Sequence, residues 1–138
     1  MTQEEKEILI KDLCARLSYG VKVAFFNEDL TYHSEPKALT GIECINNLNY
    51  SNLEDEDGNT TIVEFVKPCL FPLSSMTIEQ RYELHDLIHN LNVLAINGEI
   101  GDWIVSSSEI DWYNKNHFDY RGLISMGLAL DATDKNIY

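Results

Sequence analysis

Ser75-Met76-Thr77-Ile78-Glu79-Gln80-Arg81-Tyr82-Glu83-Leu84 is where the hydrophobic period of this 138-residue chain changes from two to about 3.6. Thr77 with Gln80 three residues on is a capping box, and Met76 stands where a hydrophobic staple would meet Arg81 or Tyr82. Leu84, Leu87, Ile88, Leu91 and Leu94 then mark one face of a helix that ends at Asn97-Gly98. Upstream the pattern differs. Thr60-Thr61-Ile62-Val63-Glu64-Phe65-Val66 follows the hairpin signal Asp57-Gly58 and reads as a strand, and Pro68 and Pro72 bracket a short extended piece. Strands before the switch and helices after it predict an α+β domain, not alternating βα units.

Working outward, Ile8, Leu9, Leu13 and Leu17 lie at helical spacing between Thr2 and Ser18, with Thr2 and Glu5 as a capping box and Gly20 as the stop. Val21 to Phe26 and Leu30 to His33 read as two strands joined at Asn27-Glu28-Asp29. Ala38 to Ile45 reads as another, with Gly41 marking a bulge. Asn46 to Asp57 reads as a polar connection. Beyond Gly101, Ser106 to Ser108 are placed to cap a helix from Glu109 to Asn116, and a short helix is expected over Leu123 to Met126. The expectation is one globular domain over residues 1–138: an N-terminal helix, a small antiparallel sheet of about four short strands, and a helical C-terminal half.

Composition narrows the function. Hydrophobic residues make up 44% of the chain, as in a folded protein. Ten Lys plus Arg stand against 23 Asp plus Glu, for a net charge of −13. Such a balance argues against direct nucleic-acid binding and against anionic membranes, which need a basic surface. Each apolar run stops short of the roughly 18 residues of a membrane span, and the acidic start Thr2-Gln3-Glu4-Glu5 is unlike a secretory signal, so the expected location is cytoplasmic. Cys14, Cys44 and Cys69 are odd in number and sit among apolar residues, as small buried hydrophobes do. On the same ground the sequons Asn49-Tyr50-Ser51 and Asn59-Thr60-Thr61 are read as coincidences. The acids are clustered. Ala38 to Val66 holds Glu43, Glu54, Asp55, Glu56, Asp57 and Glu64 with no Lys or Arg. Tyr82 to Asn114 holds Glu83, Asp86, Glu99, Asp102, Glu109 and Asp111, again with none. An acidic face of this kind serves solubility, binds a protein partner, or imitates DNA phosphates toward a DNA-binding protein.

Four patterns bear on chemistry. His85 and His89 are four apart, as in H-E-x-x-H zinc hydrolases, but Asp86 replaces the glutamate and no third ligand follows at fixed spacing. They flank the apolar face of Leu84, Ile88 and Leu91, so they are expected to cover the edge of the core, with no metal. Asp55, Asp57 and Asn59 alternate like the start of a calcium loop, yet Thr60 and Val66 occupy the places of its glycine and last glutamate. This reads as a hairpin tip. A G-x-S-x-G elbow, a glycine-rich phosphate loop and a C-x-x-C pair are all missing from the sequence, so neither catalytic residues nor a cofactor are expected. The densest polar and aromatic vocabulary is Trp112-Tyr113-Asn114-Lys115-Asn116-His117-Phe118-Asp119-Tyr120-Arg121-Gly122. Trp112, His117, Asp119, Tyr120 and Arg121 are the candidate binding residues, because they combine an indole, a titratable ring, a carboxylate, a phenol and a guanidinium. Asp119 and Arg121 also suit a turn-fixing pair. The preferred reading is a small accessory protein that binds a protein partner without catalysis, through the acidic face or this segment. The competing reading is an enzyme or small-ligand binder with a pocket around His117, Asp119, Tyr120 and Arg121.

Lys11-Asp12-Leu13-Cys14-Ala15-Arg16-Leu17 with Tyr19-Gly20-Val21-Lys22-Val23, then Lys67-Pro68-Cys69-Leu70-Phe71-Pro72-Leu73-Ser74-Ser75-Met76-Thr77, then His117-Phe118-Asp119-Tyr120-Arg121-Gly122-Leu123-Ile124 and the ending Asn136-Ile137-Tyr138, resemble an uncharacterised family of short proteins. That family is widespread in gut Bacteroidales genomes, often in prophage-like or mobile regions. The resemblance spans nearly the whole chain and is weakest from Glu28 to Asn59. It implies an accessory or anti-defence role and carries no assigned activity or site residue.

Overall fold

Thr2 caps the first helix, α1 (Gln3–Arg16), through the expected box: its hydroxyl accepts from Glu5 N, and the Glu5 carboxylate accepts from Thr2 N. The structure, a computed structural model, describes residues 1–32, 35–45 and 50–138. Strands β1 (Lys22–Phe25), β2 (Lys37–Ile45), β3 (Tyr50–Asp55), β4 (Thr60–Thr61) and β5 (Val66–Leu70) follow α1. Helices α2 (Ile78–Ile96) and α3 (Asp102–Lys115) and strand β6 (Leu130–Asp131) complete the α+β fold.

The sheet order is β4-β3-β2-β1-β5-β6, and the β5–β6 pair is parallel. This corrects the expected antiparallel sheet of about four strands to a mixed sheet of six. Strand β3 was hidden in the polar connection because its inward residues alternate Ser51, Leu53 and Asp55, all buried, so its core face does not read as apolar. Ser51 Oγ accepts from Val63 N at 3.0 Å, which satisfies the polar member of that face. The single strand read over Thr60 to Val66 is broken. Strand β4 lies at one edge of the sheet, while β5 lies beyond β1, so the chain must cross over between them. A 3₁₀ turn at Val63–Phe65 makes that crossing, with Val63 buried beneath it.

Pro68 is accommodated inside β5 by phase. The Phe26 N to Phe65 O bond fixes the β1–β5 ladder, and Pro68, opposite Val23, falls where its missing N–H points away from β1. Pairing with β6 begins one residue later, at Cys69. The predicted bulge is present, since the β2–β3 register shifts between Leu39 and Gly41. Leu30 to Tyr32 is not a strand and makes only an isolated bridge between Phe26 and Tyr32; His33 and Asn46 to Asn49 lie outside the described residues.

Two apolar clusters hold the fold. Leu9, Ile10 and Leu13 of α1 cover the sheet through Val21, Val23, Leu39, Leu53, Val66 and Leu70, joined by Leu123 and Leu128 from the tail. Full burial of a leucine contributes about 1.5–3 kcal/mol. The second cluster, Leu84, Trp112 and Phe118 with Phe71, Met76, Leu87 and Ile88, roots the α2–α3 pair against the end of β5. Thr77 and Gln80 form the α2 capping box as expected. Helix α3 begins seven residues earlier than the predicted Glu109. Ser107 donates from mid-helix to Trp103 O and Ile104 O, so the serines that resemble a cap are instead satisfied within the helix. Leu123 to Met126 is a run of turns between Gly122 and Gly127, both at positive φ, and not a helix.

Candidate functional site

The segment from Trp112 to Arg121 turns inward. Trp112 is buried, stacks on Phe118 at 5.6 Å between centroids and donates from Nε1 to Glu83 Oε1 at 3.2 Å. His117 adopts a left-handed φ of 61° and lays its ring on Tyr138, 3.8 Å between centroids. Burial, with Arg16 nearby, pushes its pKa down to about 4. Tyr138 in turn donates to Cys69 O at 2.7 Å and accepts from Lys22 N at 2.9 Å, tying this stack to β5 and β1. Asp119 accepts from Leu123 N and Ile124 N, at 2.8 and 2.9 Å, and so fixes the turns that follow it.

The organising charge lies on α1. Asp12 and Arg16 are fully buried, and Arg16 Nε donates to Asp12 Oδ2 at 2.8 Å. Arg16 also donates to Phe118 O at 2.6 Å, across 102 residues of chain. Arg121 Nε donates to the second Asp12 oxygen at 3.2 Å. Both guanidiniums lie over the Tyr120 ring, at 5.3 and 4.9 Å from its centroid. Sequence reading missed Asp12 and Arg16, although a signal existed: with Leu9 and Leu13 they occupy i, i+3, i+4 and i+7, the buried stripe of the helix.

This arrangement clamps the tail onto α1. Asp12 is taken up by two guanidiniums and Asp119 by two backbone N–H groups. Arg16 Nη1, Asn114 Oδ1, His117 Nδ1 and Tyr120 Oη are buried without a protein partner, and ordered water is the ordinary partner for such groups. A cleft of about 240 Å³ lies beside the segment, walled by Phe71, Gln80, Phe118, Thr133 and Asp134; His117, Asp119, Tyr120 and Arg121 do not line it.

The remaining candidates fall elsewhere. Asp55 is buried and accepts from Asp57 N, Asn59 N and Asn59 Nδ2, while Asp57 pairs with Lys37 at 3.5 Å. Asp55 and Asp57 therefore build the β3–β4 turn, as expected of a hairpin tip, while Glu43, Glu54 and Glu56 of that acidic stretch stay exposed. Cys69 is buried, and burial raises its thiol pKa to about 11. Cys14 and Cys44 are exposed, which corrects their reading as core residues. His85 and His89 are also exposed and do not cover the core edge, because the turn of α2 carries them away from Leu84 and Ile88.

The second acidic stretch remains at the surface, on the α2–α3 pair. Trp103 is 72% exposed at the start of α3, and Ile110, two turns on, is 43% exposed on the same side. The Trp103 indole folds back over Gly101 so closely that a Cβ there would meet it at 2.8 Å. Exposed Glu99, Asp102 and Asp111 flank these apolar groups. Among the described residues, none of the helices is long and apolar enough to cross a membrane. The chain matches no known protein family, no curated protein and no solved structure.

Proposed function

We propose that this protein is a non-catalytic accessory protein that docks a partner protein through the outer side of α3. Trp103 and Ile110 serve as the anchors, and Glu99, Asp102 and Asp111 as an acidic rim. The observation that carries this reading is Trp103, a large aromatic side chain 72% exposed within a stretch that has six acids and no Lys or Arg. Tryptophan dominates binding hot spots, and an acidic rim selects a partner whose apolar pocket is bordered by Lys and Arg. The inward turn of Trp112, Asp119 and Arg121 supports this face over the segment from Trp112 to Arg121 as the contact surface. It also weighs against the enzyme reading, since these groups are taken up in holding the fold. The resemblance to short proteins of mobile elements suits an accessory role.

The test is capture from a host lysate on the immobilised protein, compared with Trp103→Ala and with Asp102→Lys/Asp111→Lys, at low and at physiological salt. Trp103→Ala should lower retention of the bound protein roughly tenfold or more, as loss of an aromatic hot spot does. The lysine variant should abolish the salt-sensitive part. Retention that ignores both variants, or no retained protein at either salt concentration, overturns the reading.

A further inference from the structure

Helix α2 carries two apolar faces. Leu84, Leu87 and Ile88 join the inner cluster. At about 100° per residue, Ile78, Tyr82, His85, His89, Val93 and Ile96 form a second strip, centred about 145° round the helix. That strip is open along its length: Ile78 is 66%, Tyr82 67% and Ile96 85% exposed. At its middle the His85 and His89 rings are parallel within 4°, with centroids 6.3 Å apart. The Asp86 carboxylate stands 3.8 Å from His85 Nδ1.

We infer that this strip is a self-association surface closed by a metal: one zinc-type divalent ion is held between two antiparallel α2 helices by His85 and His89 of each copy. Paired imidazoles one helical turn apart chelate such ions, and the Asp86 carboxylate, 3.8 Å from His85 Nδ1, adds negative charge beside the site that attracts a dication. Among the described residues, no group of three ligand-type side chains in one chain could hold a metal ion, so a single copy supplies two ligands and leaves the tetrahedron half filled. A second copy completes it with four nitrogens.

The sequence register names the second copy as occupant. His85 and His89 lie two residues either side of Leu87, and Ile78 and Ile96 lie nine either side. Tyr82 and Val93 lie five before and six after it. A two-fold axis through this midpoint places Ile78 against Ile96, Tyr82 against Val93 and His85 against His89, the self-complementary pattern an isologous contact requires. Charge and area make the ion necessary. Two chains of −13 repel, and the axis brings both Asp86 carboxylates to the same side of the junction. A strip about 28 Å long and about 10 Å wide is also smaller than the roughly 800 Å² per partner of a stable interface. The dication neutralises the junction and adds the missing attraction. No other part of this surface depends on the docking face of α3, so either proposal stands if the other fails.

Sedimentation of the chelator-treated protein, alone and with one equivalent of zinc chloride per two chains, tests the proposal. The expected result is a monomer without metal and a doubled mass with zinc, at one zinc per two chains, reversed by EDTA. His85→Ala and His89→Ala, at exposed positions that leave the fold intact, should each abolish the doubling. Ile96→Lys should weaken it at least tenfold with the zinc ligands in place. A chain that stays monomeric with zinc, aggregation without a defined dimer, or a dimer that survives His85→Ala overturns it. The last result would locate zinc elsewhere, for instance on exposed Cys14 or Cys44.

Discussion

Among the described residues, Arg16 is the largest fully buried side chain. It is fully buried and holds Asp12, the Phe118 carbonyl and the Tyr120 ring, so it ties helix α1 to a segment 102 residues away. Removing one partner of a buried pair leaves the other charge desolvated and unmatched, at a cost of about 3–5 kcal/mol. Arg16→Leu should therefore lower the urea midpoint sharply. Asp12→Leu combined with Arg16→Met should be milder than either single change, because it removes both fully buried charges and leaves only Arg121, whose side chain is partly exposed, without its carboxylate. His117 predicts a pH dependence. Its folded pKa of about 4 lies below the 6.5 of the unfolded chain, so between these values the unfolded chain binds a proton that the native one does not. Stability is full above about pH 6.5 and falls as pH drops toward 4. Comparing urea unfolding of the parent and His117→Asn at pH 7 and pH 5, where most carboxylates stay ionised in both states, isolates this ring. Asn tolerates the left-handed backbone at this position. The variant should lose the pH slope over that interval, and an unchanged slope would assign the dependence to other groups.

Among the elements, those fixed by local rules were legible. The capping boxes at Thr2 and Thr77, the Asp57-Gly58 turn and the bulge beside Gly41 all follow from side-chain and backbone chemistry within a few residues. Elements fixed by distant partners were not. Strand β6 has two residues and exists because Cys69 and Leu70 offer it an edge. The break between β4 and β5 is imposed by strand order, against a run of residues with strong strand preference. The candidate segment shows the same division. Its residue types form a dense polar and aromatic group in the sequence, but their orientation depends on Asp12 and Arg16, over a hundred residues upstream. Helix α2 is legible from Leu84, Leu87, Ile88, Leu91 and Leu94, while its second strip is masked because the same period serves two faces. Exposure at Trp103 also could not be read locally: a tryptophan in a sequence is expected to be largely buried, and only the packing of α3 against α2 leaves this one outside.

For the whole molecule the net charge of −13 acts in two opposite ways. Lys6 with Glu64, Lys37 with Asp57, and Arg16 and Arg121 with Asp12 take up four of the ten cations in ion pairs. The remaining acids outnumber the remaining cations, and the stretch from Tyr82 to Asn114 holds six acids and no Lys or Arg. Packing them into a folded chain raises their mutual repulsion, which opposes the compact state. Raising sodium chloride from about 0.01 M to about 0.15 M shortens the screening length from about 30 Å to about 8 Å. The repulsion is then confined to near neighbours, while the buried Asp12 pairs are little affected because solvent ions do not reach them. The melting temperature should rise by a few degrees over this range, and a flat or falling curve would mean that the surface ion pairs outweigh the repulsion. Docking through the acidic rim of α3 has the opposite sign, since screening weakens attraction to a basic partner. One salt series read by thermal unfolding and by partner retention should therefore show folding strengthened and binding weakened by the same ions.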